Sequence, residues 1–238
     1  MKTEITEIAD RIYRLSTFVP QVGPTGLTFN QFLIDADQPL LFHYGQRSLF
    51  PLVSKAVQSV LPLEKLRWTC CSHVEADESG AINEWLAAAP QATPMHGQVG
   101  INIWVTDMAN RKPRPLKNDE VVDIGGKKVR WLDTPHVPHN WDAGLIYEET
   151  TGTLFSSDLF TSRGQCAATT TGDIVDAAIA TEKAIPFMPS TPQAEPTLRR
   201  LAALAPKTIA LMHGPAFKGD GAAALNALAD HYASKKHG

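Results

Sequence analysis

Cysteine is scarce here, and Cys70, Cys71 and Cys166 make an odd count with one adjacent pair inside an apolar stretch. That argues against a disulfide framework and predicts buried free thiols. Long apolar runs are missing too. Nothing approaches the roughly 20 residues a membrane span needs, and the opening Met-Lys-Thr-Glu-Ile-Thr-Glu lacks the basic and apolar regions of a signal peptide. A cytoplasmic protein with no membrane partner is expected. Neither charge dominates: 22 Lys and Arg face 25 Asp and Glu, with the cations scattered, which argues against nucleic acid as a partner. There is no Gly/Ser-rich or Pro-rich linker and no short-period repeat, so residues 1–238 are expected to form one domain. A serine-nucleophile motif and a phosphate-cradling glycine loop are absent as well. What remains is an ordinary composition, 43% hydrophobic and 20% charged over 238 residues, enough to bury a substantial core.

Patterning places strands over 11–15, 28–34, 40–44 and 66–72, and hairpins over 121–132, around Gly125-Gly126, and 144–156, around Thr151-Gly152. Helical spacing runs over 47–61 and 78–89, then over 174–187, 196–204 and 221–234, with one late strand over 208–212. Strands and helices thus come in two rounds, with hairpins outnumbering strand-helix-strand crossovers. The pattern predicts two mixed sheets covered by helices on their outer faces.

The densest chemistry lies in Ser-His73-Val-Glu75-Ala-Asp77-Glu78-Ser-Gly, at the junction of a strand and a helix. Side chains at i, i+2 and i+4 of an extended segment point the same way, so His73, Glu75 and Asp77 can converge, and Glu78 joins them if the chain curls. An imidazole among carboxylates suits iron or manganese better than the thiolate-rich shells of structural zinc. An acidic helix start, with Asp77 as N-cap, would account for Asp77 and Glu78 but not for His73 and Glu75.

Other candidates also follow apolar strands: His136 and His139 after 129–132, Asp158 after 154–157, and His213 after 209–212. Each alone has a bland reading as a loop or capping residue. Together they describe several strand ends aimed at one rim, the usual way to build a site on a rigid scaffold. Pro135 and Pro138 bracket His136 and are expected to keep that loop extended. Trp141, Phe160 and Phe217 flank the candidates as pocket walls or as core, while Lys127, Lys128 and Arg130 read as a solvated basic patch.

The order His-x-Glu-x-Asp, a His after a Thr-Pro loop, Ser-Asp closing a hairpin and finally His-Gly-Pro resembles the metallo-β-lactamase superfamily, and within it the flavodiiron branch. The resemblance runs from 28 to 215 and implies an α/β (α+β) four-layer αββα sandwich with a dinuclear site at one edge. Hydrolases of the superfamily carry a second His where this chain has Glu75, a carboxylate that fits the flavodiiron pattern. Carried over, His73, Glu75 and His139 hold a first iron, Asp77 and His213 a second, and Asp158 bridges them. His139 is preferred to His136 because Asp142 completes the family's His-x-x-Asp spacing, which leaves His136 as a pocket residue. Where the family has a final His, this chain has Glu78, an open candidate.

The resemblance implies a non-haem di-iron protein that binds or reduces dioxygen, or nitric oxide, as reductase, scavenger or sensor. The chain ends without a flavodoxin domain, which implies no bound flavin, an external electron donor if it turns over, and a likeness to stand-alone oxygen-binding di-iron proteins. Family members pair head to tail to bring flavin to metal, so a homodimer is carried over as an expectation although this chain lacks that reason for it. The alternative on the same scaffold is a metal-dependent hydrolase, with zinc or iron, of a thioester, lactone or phosphoester. Charge separates the two readings. Three or four carboxylates nearly neutralise two divalent ions and favour the ferric state, whereas added carboxylates weaken the Lewis acidity a zinc hydrolase depends on.

Overall fold

The computed structural model describes residues 1–189 and 191–235, so Ser190 and the last three residues of the expected 1–238 span lie outside the described residues. Two seven-stranded sheets form the centre. The first runs in the order β1 (Thr3–Ala9), β2 (Ile12–Val19), β3 (Leu27–Ile34), β4 (Leu40–Phe42), β5 (Trp68–Cys70), β6 (Thr93–Gly97) and β7 (Arg114–Leu116). The second runs β12 (Thr169–Thr170), β14 (Ala216–Lys218), β13 (Thr208–Leu211), β11 (Thr153–Ser157), β10 (Gly144–Glu148), β9 (Lys128–Asp133) and β8 (Val121–Asp123). Both are mixed: β1 to β4 pair antiparallel and β4 to β7 parallel, while β11 runs parallel to its neighbour β13.

Strand alternation explains the layers. In β3, Phe32 and Ile34 point to one face and Phe29 and Leu33 to the other. The first pair joins Leu40, Phe42, Cys70, Trp131, Ile146, Phe155 and Ala210 in the core between the sheets. The second pair joins Leu41, Val53, Val57, Ile82 and Trp85 under the helices α1 (Phe50–Gln58) and α3 (Ile82–Ala88). On the far side, Leu154, Ile209 and Leu211 pack against Ala178, Leu198, Leu201 and Leu225 of α6 (Val175–Ala184), α7 (Ala194–Ala202) and α8 (Gly221–Lys235). These layers form the expected αββα sandwich. Among the described residues no helix is long and apolar enough to cross a membrane.

Several local expectations differ from the fold. The helix expected over 78–89 is split into α2 (Ala76–Ser79) and α3 because the 44–45 segment captures its hydrogen bonds: Tyr44 N–H donates to the Glu78 carbonyl at 2.7 Å, and Ala81 N–H to that of Gly45 at 2.9 Å. The fourth strand stops at Phe42, not Tyr44, because His43 turns into the left-handed region with φ +66°. β1, β6, β7, β12 and β14 had no counterpart among the expected strands. Neither did the helical run of α4 (Gln98–Gly100), the π-helix Ile101–Val105 and α5 (Thr106–Met108).

Charge and thiol expectations divide. Cys70 and Cys71 are free and buried as expected, whereas Cys166 is only half-buried. The supposed basic patch is not a solvated face: Lys127 is buried and donates to Asp10 at 3.4 Å, and Arg130 pairs with Glu149, leaving only Lys128 exposed.

Candidate metal centre

The site lies where strands of both sheets end at one rim. β4 and β5 are adjacent parallel strands of the first sheet, and β5 leads into His73. β11 and β13 are adjacent parallel strands of the second, leading into Asp158 and His213. The loop from β9 to β10 supplies His139. Between these ends the chain curls after His73: Glu75 is extended at φ −147° and immediately precedes α2, which carries Asp77 and Glu78. Of the two backbone arrangements the sequence allowed, the curled one is observed. No side chain makes a capping hydrogen bond at the start of α2, so the reading of Asp77 as an N-cap does not hold.

Two groups of potential ligand atoms result, each with its atoms within 4.8 Å of one another: His73, Glu75, His139 and Asp158 in one, Asp77, Glu78 and His213 in the other. Asp158 faces both. Its Oδ2 lies 3.0 Å from His139 Nε2 and 3.4 Å from His73 Nε2, and its Oδ1 lies 3.2 Å from His213 Nε2. Glu75 Oε2 is 3.4 Å from both His73 and His139, and Asp77 Oδ2 is 3.2 Å from His213. Glu78 is fully buried, with Oε2 3.8 Å from His73 Nε2 and neither carboxylate oxygen hydrogen-bonded. His136 joins neither group. It is exposed, with φ +66°, and its N–H closes a turn onto Asn140 O at 2.8 Å. The loop is therefore a compact turn and not the extended segment that its two prolines imply.

That turn is clamped to the ligand segment. Asp142 Oδ2 accepts from Val74 N–H at 3.2 Å and Trp104 Nε1–H at 2.8 Å, while Asn140 Nδ2 donates to Val74 O at 3.1 Å. Both peptide groups of the residue between His73 and Glu75 are thereby fixed by the loop that carries His139. At the other end, Asn30 Nδ2 donates to Leu211 O at 2.8 Å and Gly214 O at 2.9 Å, bracketing His213, and Arg14 adds a bond to Gly214 O at 3.0 Å. Gly214 sits at φ +137°, where a Cβ would meet Ser162 Oγ at 2.7 Å, so the His-Gly-Pro motif needs its glycine. Asn30 was not singled out from sequence. Its one signal is a polar residue at an inward-facing position of an apolar strand.

Carboxylates dominate the electrostatics of the site. Burial alone would lower the His213 imidazole, yet the carboxylates of Asp158 and Asp77 push it up to about 10. Against its own burial, bonds from His139 and His213 hold the Asp158 carboxyl well below the usual carboxylate range. Glu78 goes the other way, lifted well above that range by burial and by Asp158 and Asp77. His213 Nδ1 lies 2.9 Å from the Thr28 carbonyl, which only accepts, so Nδ1 carries a proton and Nε2 faces the carboxylates. A carboxylate that faces both groups, a buried carboxyl without a hydrogen-bond partner and imidazoles aimed inward fit a pair of oxygen-preferring metal ions.

A cavity of about 220 Å³ opens over the site, walled by Leu27, Ile185 and Phe187 with Thr161, Thr181 and Arg163. The aromatics singled out from sequence do not wall it. Trp141 is 58% exposed, and Phe160 and Phe217 belong to the core under α6 to α8.

A four-layer sandwich with paired His/carboxylate groups at one rim defines a metallo-β-lactamase-type core. The chain belongs to the family described as ODP family beta lactamase, which matches residues 27–214. Its fold is that of rubredoxin oxygen:oxidoreductase from Desulfovibrio gigas (TM-score 0.85, 18% identity, covering 97% of this chain and 62% of that one). It is also that of the metal-soaked Flv1 flavodiiron core from Synechocystis sp. PCC6803 (TM-score 0.86, 21% identity, covering 99% and 62%). Curated relatives include diflavin flavoprotein A 1 of Synechocystis sp., 26% identical over 57% of this chain and 24% of its own length. Coenzyme F420H(2) oxidase of Methanothermobacter marburgensis is 27% identical over 57% of this chain and 35% of its own length. The chain spans a quarter to about a third of the length of such relatives. Its fold is the metallo-β-lactamase-like core of these flavodiiron structures.

Proposed function

We propose that this chain is a di-iron protein that binds or reduces dioxygen, with nitric oxide as a second diatomic ligand. His73, Glu75 and His139 would hold one iron, Asp77, His213 and Glu78 the other, and Asp158 would bridge them. The supporting observation is Asp158, whose two oxygens address the two ligand groups separately. Bound iron would supply the electrons and the open coordination that a diatomic gas requires.

The chain's own residues do the rest. Leu27, Ile185 and Phe187 give the cavity apolar walls that limit water. Thr161 and Thr181 spend their hydroxyl protons on the carbonyls of Asp158 and Ala177, at 2.7 and 2.9 Å, so they add little polar competition. Four carboxylates around two divalent ions also disfavour the hydrolytic alternative, which depends on a strongly Lewis-acidic zinc. Turnover as a reductase would require an external electron donor, whereas sensing would not.

Anaerobic Fe(II) loading followed by exposure to air tests this reading. It predicts an oxygen-dependent visible absorption band and no hydrolysis of thioester, lactone or phosphoester substrates. Retention of two zinc ions, no oxygen-dependent band and hydrolysis of one of those esters would establish the alternative. Within the site, His139→Ala is expected to lose one iron per chain while His136→Ala keeps wild-type metal content. Metal analysis after dialysis decides, and the reverse pattern would reassign the loop.

A further inference from the structure

Behind the proposed centre lies a chain of buried polar side chains that none of the ligand assignments uses. His43 is fully buried, just past the end of β4, in the left-handed region that residues with a β-carbon seldom adopt. Its ring stacks on Phe42 at 4.2 Å, with Nδ1 3.1 Å from Met212 Sδ and Nε2 3.1 Å from Ser72 Oγ. Ser72 Oγ in turn lies 3.0 Å from His73 Nδ1 and 2.8 Å from Ser157 Oγ.

The proton positions along this chain follow from its far end. A thioether sulfur only accepts, so His43 Nδ1 must carry the proton. Burial keeps the ring neutral, pushing the imidazole down to about 3. Its Nε2 is then a bare acceptor, and the Ser72 hydroxyl must donate to it. With that proton committed, Ser72 Oγ can only accept from its other neighbours: His73 Nδ1 donates across the shorter contact of 3.0 Å, and Ser157 Oγ, 3.4 Å from the same nitrogen, gives its proton to Ser72 at 2.8 Å. His73 is left with Nε2 directed at Glu75, Asp158 and Glu78. A lone pair aimed at three carboxylates is repulsive unless a cation stands between them.

We infer that His43 is a positioning residue: through Ser72 it fixes His73 in the tautomer that presents Nε2 to a metal ion. Through Met212 it also joins the backing of His73 to the strand end that carries His213. The inference rests on the proposed role of His73 as a ligand. Residues that orient a ligating imidazole through its second nitrogen commonly tune metal affinity by 10–100-fold.

The test is a chelator-competition titration of the full chain with Zn(II), a diamagnetic probe, paired with ¹H–¹⁵N spectra of the imidazoles. His43→Phe keeps the ring and removes both nitrogens. It is expected to weaken one zinc equivalent by about 10–100-fold, leave the other unchanged, and abolish the slowly exchanging Nδ1–H signal of His73. His43→Gln, whose amide oxygen can accept from Ser72, is expected to restore most of the affinity. Unchanged affinity in His43→Phe would overturn the assignment. Equal weakening of both equivalents would overturn it too, because general loosening of the fold has that effect. His73→Ala separates the two levels. If it still binds two equivalents, the ligand reading itself fails; if it loses one while His43→Phe changes nothing, only the positioning role fails.

Discussion

Asp158→Ala is expected to empty both halves of the centre at once. Every other candidate ligand belongs to one group, whereas Asp158 is held by His73 and His139 through one oxygen and by His213 through the other. Its carboxylate is also the site's best-supported anion, buried and held well below the usual carboxylate range by bonds from His139 and His213. Without it, three imidazoles face a smaller negative charge and each ion loses a ligand, and metal affinity falls steeply with ligand number. Asp77→Ala is the comparison, because Asp77 contacts only the His213 side. Metal analysis after dialysis should find no stoichiometric metal in Asp158→Ala and one ion per chain in Asp77→Ala. One ion retained in Asp158→Ala would mean that the carboxylate does not bridge.

Glu78→Met is expected to change stability in opposite directions with and without metal. In the metal-free chain Glu78 buries two carboxyl oxygens that make no hydrogen bond, and burial together with Asp158 and Asp77 lifts its carboxyl well above the usual carboxylate range. Replacing such a group with an apolar side chain of similar length removes a desolvation cost of about 1–3 kcal/mol. That corresponds to a rise in Tm of roughly 2–4 °C per kcal/mol for a chain of this size. With metal present the sign reverses. The second ion loses a carboxylate, and the stabilisation that comes from binding only the folded state shrinks with the weaker affinity. Thermal unfolding of both proteins, with chelator and with Fe(II) under anaerobic conditions, reads both halves. A less stable metal-free variant would show that the Glu78 oxygens are satisfied by something other than metal.

Glu78 also marks how far the sequence could be read. Three of the proposed ligand positions were legible because polar residues follow apolar strands within three residues: His73 after β5, Asp158 after β11 and His213 after β13. Such a residue emerges at the rim wherever the strand ends, so its approximate position needs no tertiary knowledge. The layers were legible for a related reason, since alternating pairs such as Phe32 and Leu33 must serve two different cores. β6 and β7 were hidden because Pro94, Gly97 and Pro115 erase the strand signal within segments of three to five residues. β1 was hidden because Thr-Glu-Ile-Thr-Glu-Ile reads as polar surface until β2 pairs with it.

The support behind the ligands was out of reach for a different reason. Asn30 bonds to Leu211 across 181 residues, Ser72 to Ser157 across 85 and His43 to Met212 across 169. No local pattern marks such pairs. The cavity wall was hidden for the same reason: of the aromatics read as wall or core, Phe160 is core, and Leu27, Ile185 and Phe187, distant from one another in sequence, line the cavity.

These residues are proposed to hold two metal ions with Asp158 between them. The most direct measurement is an anomalous difference map at the iron edge from crystals grown with Fe(II) under anaerobic conditions. Two peaks are expected, one among His73, Glu75 and His139 and one among Asp77, Glu78 and His213, each in contact with a different oxygen of Asp158. A single peak, or two peaks that leave Asp158 on one ion only, would contradict it.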